Sequence, residues 1–100
     1  MTRQQAADEK DNSIYVGDKP FMNYVTAIIM QFTTHEQERV IVKARGKYIS
    51  RAVDVSEMAC KDFLKEVVAI HSITTDSDLV ENREGKEVRV STITIVLEKQ

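Results

Sequence analysis

Three features of the sequence predict an α/β two-layer sandwich. Two stretches carry apolar residues at helical spacing, four β-rich runs alternate with them, and a polar, glycine-containing segment joins the last two runs. The resulting order is β-α-β-α-β-β. Two β-α-β crossovers and a closing hairpin give a four-stranded mixed sheet covered by two helices. One hundred residues suffice for one domain. Residues 1–12 are polar without an apolar period and read as a flexible tail, leaving 13–100 as the domain.

Ser-Ile-Tyr-Val-Gly at 13–17 reads as a short strand, and Gly17 to Pro20 as a turn. Pro20 suits the first turn of a helix, where its missing N–H costs nothing. Phe21, Val25, Ile28 and Phe32 then recur on one helical face, which Met22 and Ile29 widen. Val40, Val42 and Ala44 alternate with Ile41, Lys43 and Arg45, as in a strand with one covered face. A second helix is expected over 50–67, with Ser50 as its N-cap. Ile49, Val53, Cys60, Leu64 and Val67 share a face that Ala52, Ala59 and Phe63 extend. Val55 and Met58 fall outside it, which points to packing on a partner chain. Phe63 reads as core or interface. Residues 68–75 and 88–97 read as the closing strands, with the polar tip over 81–87. The segment from Asp76 to Glu87 is longer than a tight turn needs, so these strands can extend as an arm or form an ordinary mobile hairpin.

The net charge of −2 is unlike that of most nucleic-acid-binding domains, which are basic. The charge is segregated, however. Acids gather in the tail (Asp8, Glu9, Asp11) and around the hairpin (Asp76, Asp78, Glu81, Glu84, Glu87), whereas Arg39, Lys43, Arg45, Lys47 and Arg51 fall in a stretch with no acid between Glu38 and Asp54. A strand running into a cationic, glycine-containing loop before a helix suits a phosphate, although the same pattern serves a solvated surface turn. The loop is not a Walker A motif: Ile41 stands where the first Gly should be, and Tyr48 follows Lys47. Arg83, Lys86 and Arg89 are the cations of the hairpin, and a β-ribbon can enter a DNA groove.

No catalytic constellation emerges. His35 and His71 are far apart in sequence, without a Cys or acid at ligand spacing, and read as structural or surface residues. Cys60 is the sole cysteine, so it forms no disulfide within the chain, and it reads as a small core residue. No metal or cofactor is expected. Cysteine usage, the polar start and the lack of a membrane-length apolar run make a cytoplasmic protein the expectation.

Three segments resemble the Alba family of archaeal chromatin proteins. Gly17-Asp18-Lys19-Pro20-Phe21-Met22-Asn23-Tyr24-Val25 is similar to the family's Gly-Lys-Lys-Pro-x-Met-Asn-Tyr-Val. Residues 43–54 resemble its Lys-Ala-Arg-Gly-Arg-x-Ile-Ser-Lys-Ala-Val-Asp, and Arg89 to Ile93 its Arg-Val-Ser-Thr-Ile. The similarity runs over about residues 13 to 98 in unchanged order. It implies a fold like the C-terminal domain of translation initiation factor 3. It also implies a homodimer without enzymatic activity that binds double-stranded DNA with little sequence preference, and often RNA, as a chromosome-organising protein of the nucleoid. By position, Lys19, Lys43, Arg45, Lys47 and Arg51 would meet the DNA backbone. The arm residues Arg83, Lys86 and Arg89 would reach the minor groove. Phe63 matches the residue through which family dimers pack side by side along DNA. Asp18 replaces the lysine associated with regulatory acetylation, which leaves Lys19 as the candidate for that role. The alternative expectations are a mainly RNA-binding protein and a small phosphate-ligand-binding domain or enzyme.

Overall fold

The computed structural model describes residues 12–100; the expected tail therefore lies outside the described residues, apart from Asn12. Asn12 is already tied to the sheet: its carbonyl accepts the Ile41 N–H at 3.0 Å and its side-chain amide donates to the Arg39 carbonyl at 2.6 Å. The elements are β1 (Ser13–Tyr15), α1 (Phe21–Thr33), β2 (Arg39–Arg45), a 3₁₀ turn (Gly46–Tyr48), α2 (Ile49–Met58), a π-helical turn (Ala59–Phe63), β3 (Val68–Glu81) and β4 (Glu87–Lys99). The expected β-α-β-α-β-β order is present. In the sheet the strands lie in the order β1-β2-β4-β3, with β1 parallel to β2 and the other pairs antiparallel.

One face of the sheet is covered. Val40 and Val42 of β2 and Ile93, Ile95 and Leu97 of β4 are buried with Val25, Ile28 and Phe32 of α1. The other face carries Ile41, Lys43 and Arg45 beside Val96, Thr94 and Thr92. This is the period-2 division of a sheet with helices on one side.

The helix faces differ in detail from the sequence expectation. Tyr24 and Gln31 join the buried stripe of α1, Phe21 is only partly buried, and Met22 is exposed. On α2 the buried stripe is Ala52, Val55 and Ser56, continued by Ala59 and Cys60 of the π-helical turn, one row of mostly small side chains. Val55 is therefore core and Met58 packs against the core, so neither marks a partner surface. Ser50 is not the N-cap: the 3₁₀ turn leads directly into α2, which starts at Ile49, and no side-chain cap bond forms. α2 also ends early. The Leu64 N–H reaches back five residues to the Ala59 carbonyl at 2.8 Å, and Glu66 has φ 65°. That widened turn breaks the 3.6-residue period. It leaves Phe63 and Val67 exposed, where the regular helix over 50–67 would have placed Val67 on the covered face. Phe63 is accordingly not core within the chain.

β3 and β4 stay paired out to Glu81 and Glu87, well beyond the helices. Residues 71–79 are all exposed. About six residue pairs past Thr75 make an arm roughly 20 Å long at the usual strand rise. Asn82 closes the tip: its side-chain carbonyl accepts the N–H groups of Glu84 (2.9 Å) and Lys86 (3.0 Å), and Gly85 takes φ 80°.

Gly46 also has a positive φ, 61°, and a Cβ there would sit 3.6 Å from Val90 Cγ1, in ordinary contact. Gly46→Ala therefore strains the backbone without a clash and should cost roughly 1–2 kcal/mol, read as a lower denaturant midpoint at unchanged slope. An unchanged midpoint would contradict this account of the loop.

Candidate nucleic-acid interface

The loop after β1 is held by side chains from both helices. The N–H groups of Gly17 (2.9 Å) and Lys19 (3.0 Å) both donate to the Tyr24 hydroxyl oxygen. Arg51 of α2 donates through Nη1 to the Gly17 carbonyl at 2.5 Å, and its guanidinium carbon lies 5.7 Å from the Tyr24 ring centroid. Tyr24 is buried, and a buried tyrosine needs a partner for its hydroxyl. Here that need is met by the loop, whose backbone is thereby fixed against the start of α2.

The loop borders a groove of about 620 Å³ whose lining includes Tyr15, Asp18, Lys19, Lys43, Arg45, Tyr48, Asp78, Thr92 and Thr94. Sheet register explains the gathering. Tyr15 pairs with Lys43 and Lys43 with Thr94, so these three stand side by side on the uncovered face, with Arg45 and Thr92 one step along. Lys43 Nζ lies 5.7 Å from the Tyr15 ring centroid. Lys47 follows on the 3₁₀ turn, its Nζ 5.4 Å from the Tyr48 ring centroid.

The residues singled out from the sequence thus divide into groups. Lys19, Lys43 and Arg45 come together at the groove, with Lys47 on the adjoining turn. Among the described residues none of the four is ion-paired; the pairs present are Arg39–Glu98, Lys61–Glu57 and His71–Glu98. Arg83, Lys86 and Arg89 are exposed on the arm and do not line the groove. Arg51 donates through Nη1 to the Gly17 carbonyl, which uses one of the five N–H donors of its guanidinium. Sequence reading missed Tyr24 and Tyr15. The apolar row of α1 could have signalled the first, because a tyrosine there must place its hydroxyl. Strand register could have signalled the second, opposite Lys43.

Burial pushes the Cys60 thiol up to about 11, with the Glu57 charge adding and Lys61 opposing, so it is protonated at neutral pH. No group of His, Cys, Asp and Glu among the described residues could hold a metal ion. His71 stands on β3 with Nδ1 3.2 Å from Glu98, and His35 closes the end of α1 through its N–H to the Met30 carbonyl. No described helix is long and apolar enough to cross a membrane.

Residues 12–77 match the Alba family, which spans both the clasped loop and the basic turn. The chain belongs to the Alba family. It is 53% identical over 89 residues to the DNA/RNA-binding protein Alba of Methanococcus maripaludis, covering 89% of this chain and 99% of that relative. It is 43% identical over 90 residues to the DNA/RNA-binding protein Alba 1 of Archaeoglobus fulgidus, covering 90% and 98%. The solved structure of Alba from Thermoplasma volcanium superimposes with a TM-score of 0.79 at 40% identity, over 86% of this chain and 98% of that one. These Alba proteins are named for binding nucleic acid and not for a reaction, in keeping with the sequence expectation of a non-enzyme.

Tyr24→Phe keeps the ring in the core and removes the acceptor of two backbone N–H groups. The variant should lose roughly 1–3 kcal/mol of stability, with hydrogen exchange quickened at the Gly17 and Lys19 amides. Unchanged exchange at both amides would show that the hydroxyl does not hold the loop.

Proposed function

We propose that this Alba-family chain is a nucleic-acid-binding protein that, as a homodimer, binds double-stranded DNA with little sequence preference and contributes to chromosome organisation in the cytoplasmic nucleoid. The observation that carries the reading is the set of four cations, Lys19, Lys43, Arg45 and Lys47, gathered at one end of the sheet and not ion-paired among the described residues. A phosphate can meet them without first breaking an existing pair, and the clasped loop holds Lys19 in place at little cost in ordering. Among the described residues these cations stand on a loop, a strand and a 3₁₀ turn, so contacts to the backbone set affinity and the arm adds contact in the minor groove through Arg83, Lys86 and Arg89. Structured RNA is the second target, favoured by the names of the relatives, which give both nucleic acids. Lys19 is also the candidate acetylation site, since loss of its charge would weaken the same contact.

Dimerisation is supported by apolar surface that one chain leaves uncovered. β3 is an edge strand, and Val67 and Ile73 on or beside it are half-exposed. Phe63 stands apart on the π-helical turn, 53% exposed, as a contact between dimers lying side by side on DNA.

Two measurements test this reading. Arg45→Ala and Lys47→Ala should weaken binding to unrelated duplexes about equally, each flattening the log-affinity against log-salt slope by roughly 0.9. A slope that stays flat in the unmodified protein would indicate a small-ligand pocket instead. Phe63→Ala should leave the dimer intact and shift stability by less than about 1 kcal/mol, while reducing cooperativity on long duplexes and sparing a site that holds one dimer. Unchanged cooperativity would remove Phe63 from assembly.

A further inference from the structure

The groove is not a uniformly cationic surface. Its lining combines Lys19, Lys43 and Arg45 with the aromatic rings of Tyr15 and Tyr48 and the carboxylates of Asp18 and Asp78. Its volume of about 620 Å³ falls within the usual span of small-ligand clefts, roughly 300–1,000 Å³. Tyr15 is 64% exposed although it lies in a strand that pairs directly with the core strand β2. One cation, Lys43, lies 5.7 Å from the Tyr15 ring centroid, yet the ring remains largely exposed, more than that contact requires, and carboxylates beside the phosphates weaken a surface meant only to follow a phosphate backbone.

Each of these groups fits one part of a single nucleotide. An exposed ring accepts the face of an unstacked base, which a duplex keeps stacked inside. The ammonium and guanidinium groups take the phosphate. An ionised carboxylate only accepts hydrogen bonds, so it repels phosphate and is satisfied by a donor; the ribose 2′-hydroxyl is the donor that RNA has and DNA lacks. We propose that this groove is a binding site for an unpaired ribonucleotide of single-stranded RNA, with the base on Tyr15, the phosphate on Lys19 and Arg45, and the 2′-hydroxyl on Asp18 or Asp78. The site rests on the nucleic-acid-binding reading and adds to it a ligand distinct from duplex DNA. Tyr15 has no part in holding the duplex backbone.

The test compares the full chain and two variants on three probes: a short single-stranded RNA carrying 2-aminopurine, the single-stranded DNA of the same sequence, and a duplex DNA. Stacking on Tyr15 should quench the probe fluorescence. Tyr15→Ala should abolish the quenching and lower RNA affinity about tenfold, the size of one base–aromatic stack, while duplex affinity stays within about twofold. Asp18→Ala combined with Asp78→Ala should strengthen binding of both DNA probes by removing negative charge, yet lower the ratio of RNA to single-stranded DNA affinity. Either an unaltered RNA affinity in Tyr15→Ala or an unaltered ratio in the double variant would overturn the proposal. Equal loss on RNA and duplex in Tyr15→Ala would overturn it as well. Failure of the unmodified protein to bind any of the three probes would instead overturn the nucleic-acid-binding reading itself.

Discussion

β4 pairs with β2 along its C-terminal half and with β3 along its full length, so a single strand fixes both the body and the arm. Its inner residues Ile93, Ile95 and Leu97 are locked by burial under the helices. A slip of one residue would turn these three to the uncovered face, which makes other registers costly. The same register places Thr92 and Thr94 beside Arg45 and Lys43. The direction in which the arm leaves the body therefore follows from the core, as does the spacing of the groove.

Charge is arranged to act locally. With a net charge of −2 the molecule as a whole does not attract a polyanion over long range. At the groove, cations stand on three separate segments, and the intervening backbone is held by Tyr24 and Arg51. Acids at Asp18 and Asp78 limit how strongly this patch can bind bare phosphate. Contacts between exposed cations and a phosphate are screened as ionic strength rises.

Much of this was legible in the residues. The apolar rows of the two helices, the alternation of β2 and the polar tip at 81–87 give the element order, because burial of one face imposes those periods. The basic turn from Lys43 to Lys47 was visible as a stretch without acids. What was hidden depended on backbone detail. The π-helical turn at Ala59–Phe63 has no signature in side-chain spacing, so a regular helical period puts Val55 and Met58 on the wrong side and Val67 on the covered face. Ser50 has the chemistry of an N-cap, but the 3₁₀ turn had already begun the helix. Arg51 reads as one more cation, and only the folded loop shows that its Nη1 also donates to the Gly17 carbonyl.

The central claim is that the clasped loop, the basic turn and the arm form one nucleic-acid-binding surface. Backbone amide chemical shifts recorded while duplex DNA is added test it most directly. The account predicts perturbations concentrated at residues 17–19, 43–47 and 82–89, with the helix surface around Asp54 and Asp62 little affected. Perturbations confined to the helix surface, or absent from both 17–19 and 43–47, would contradict it.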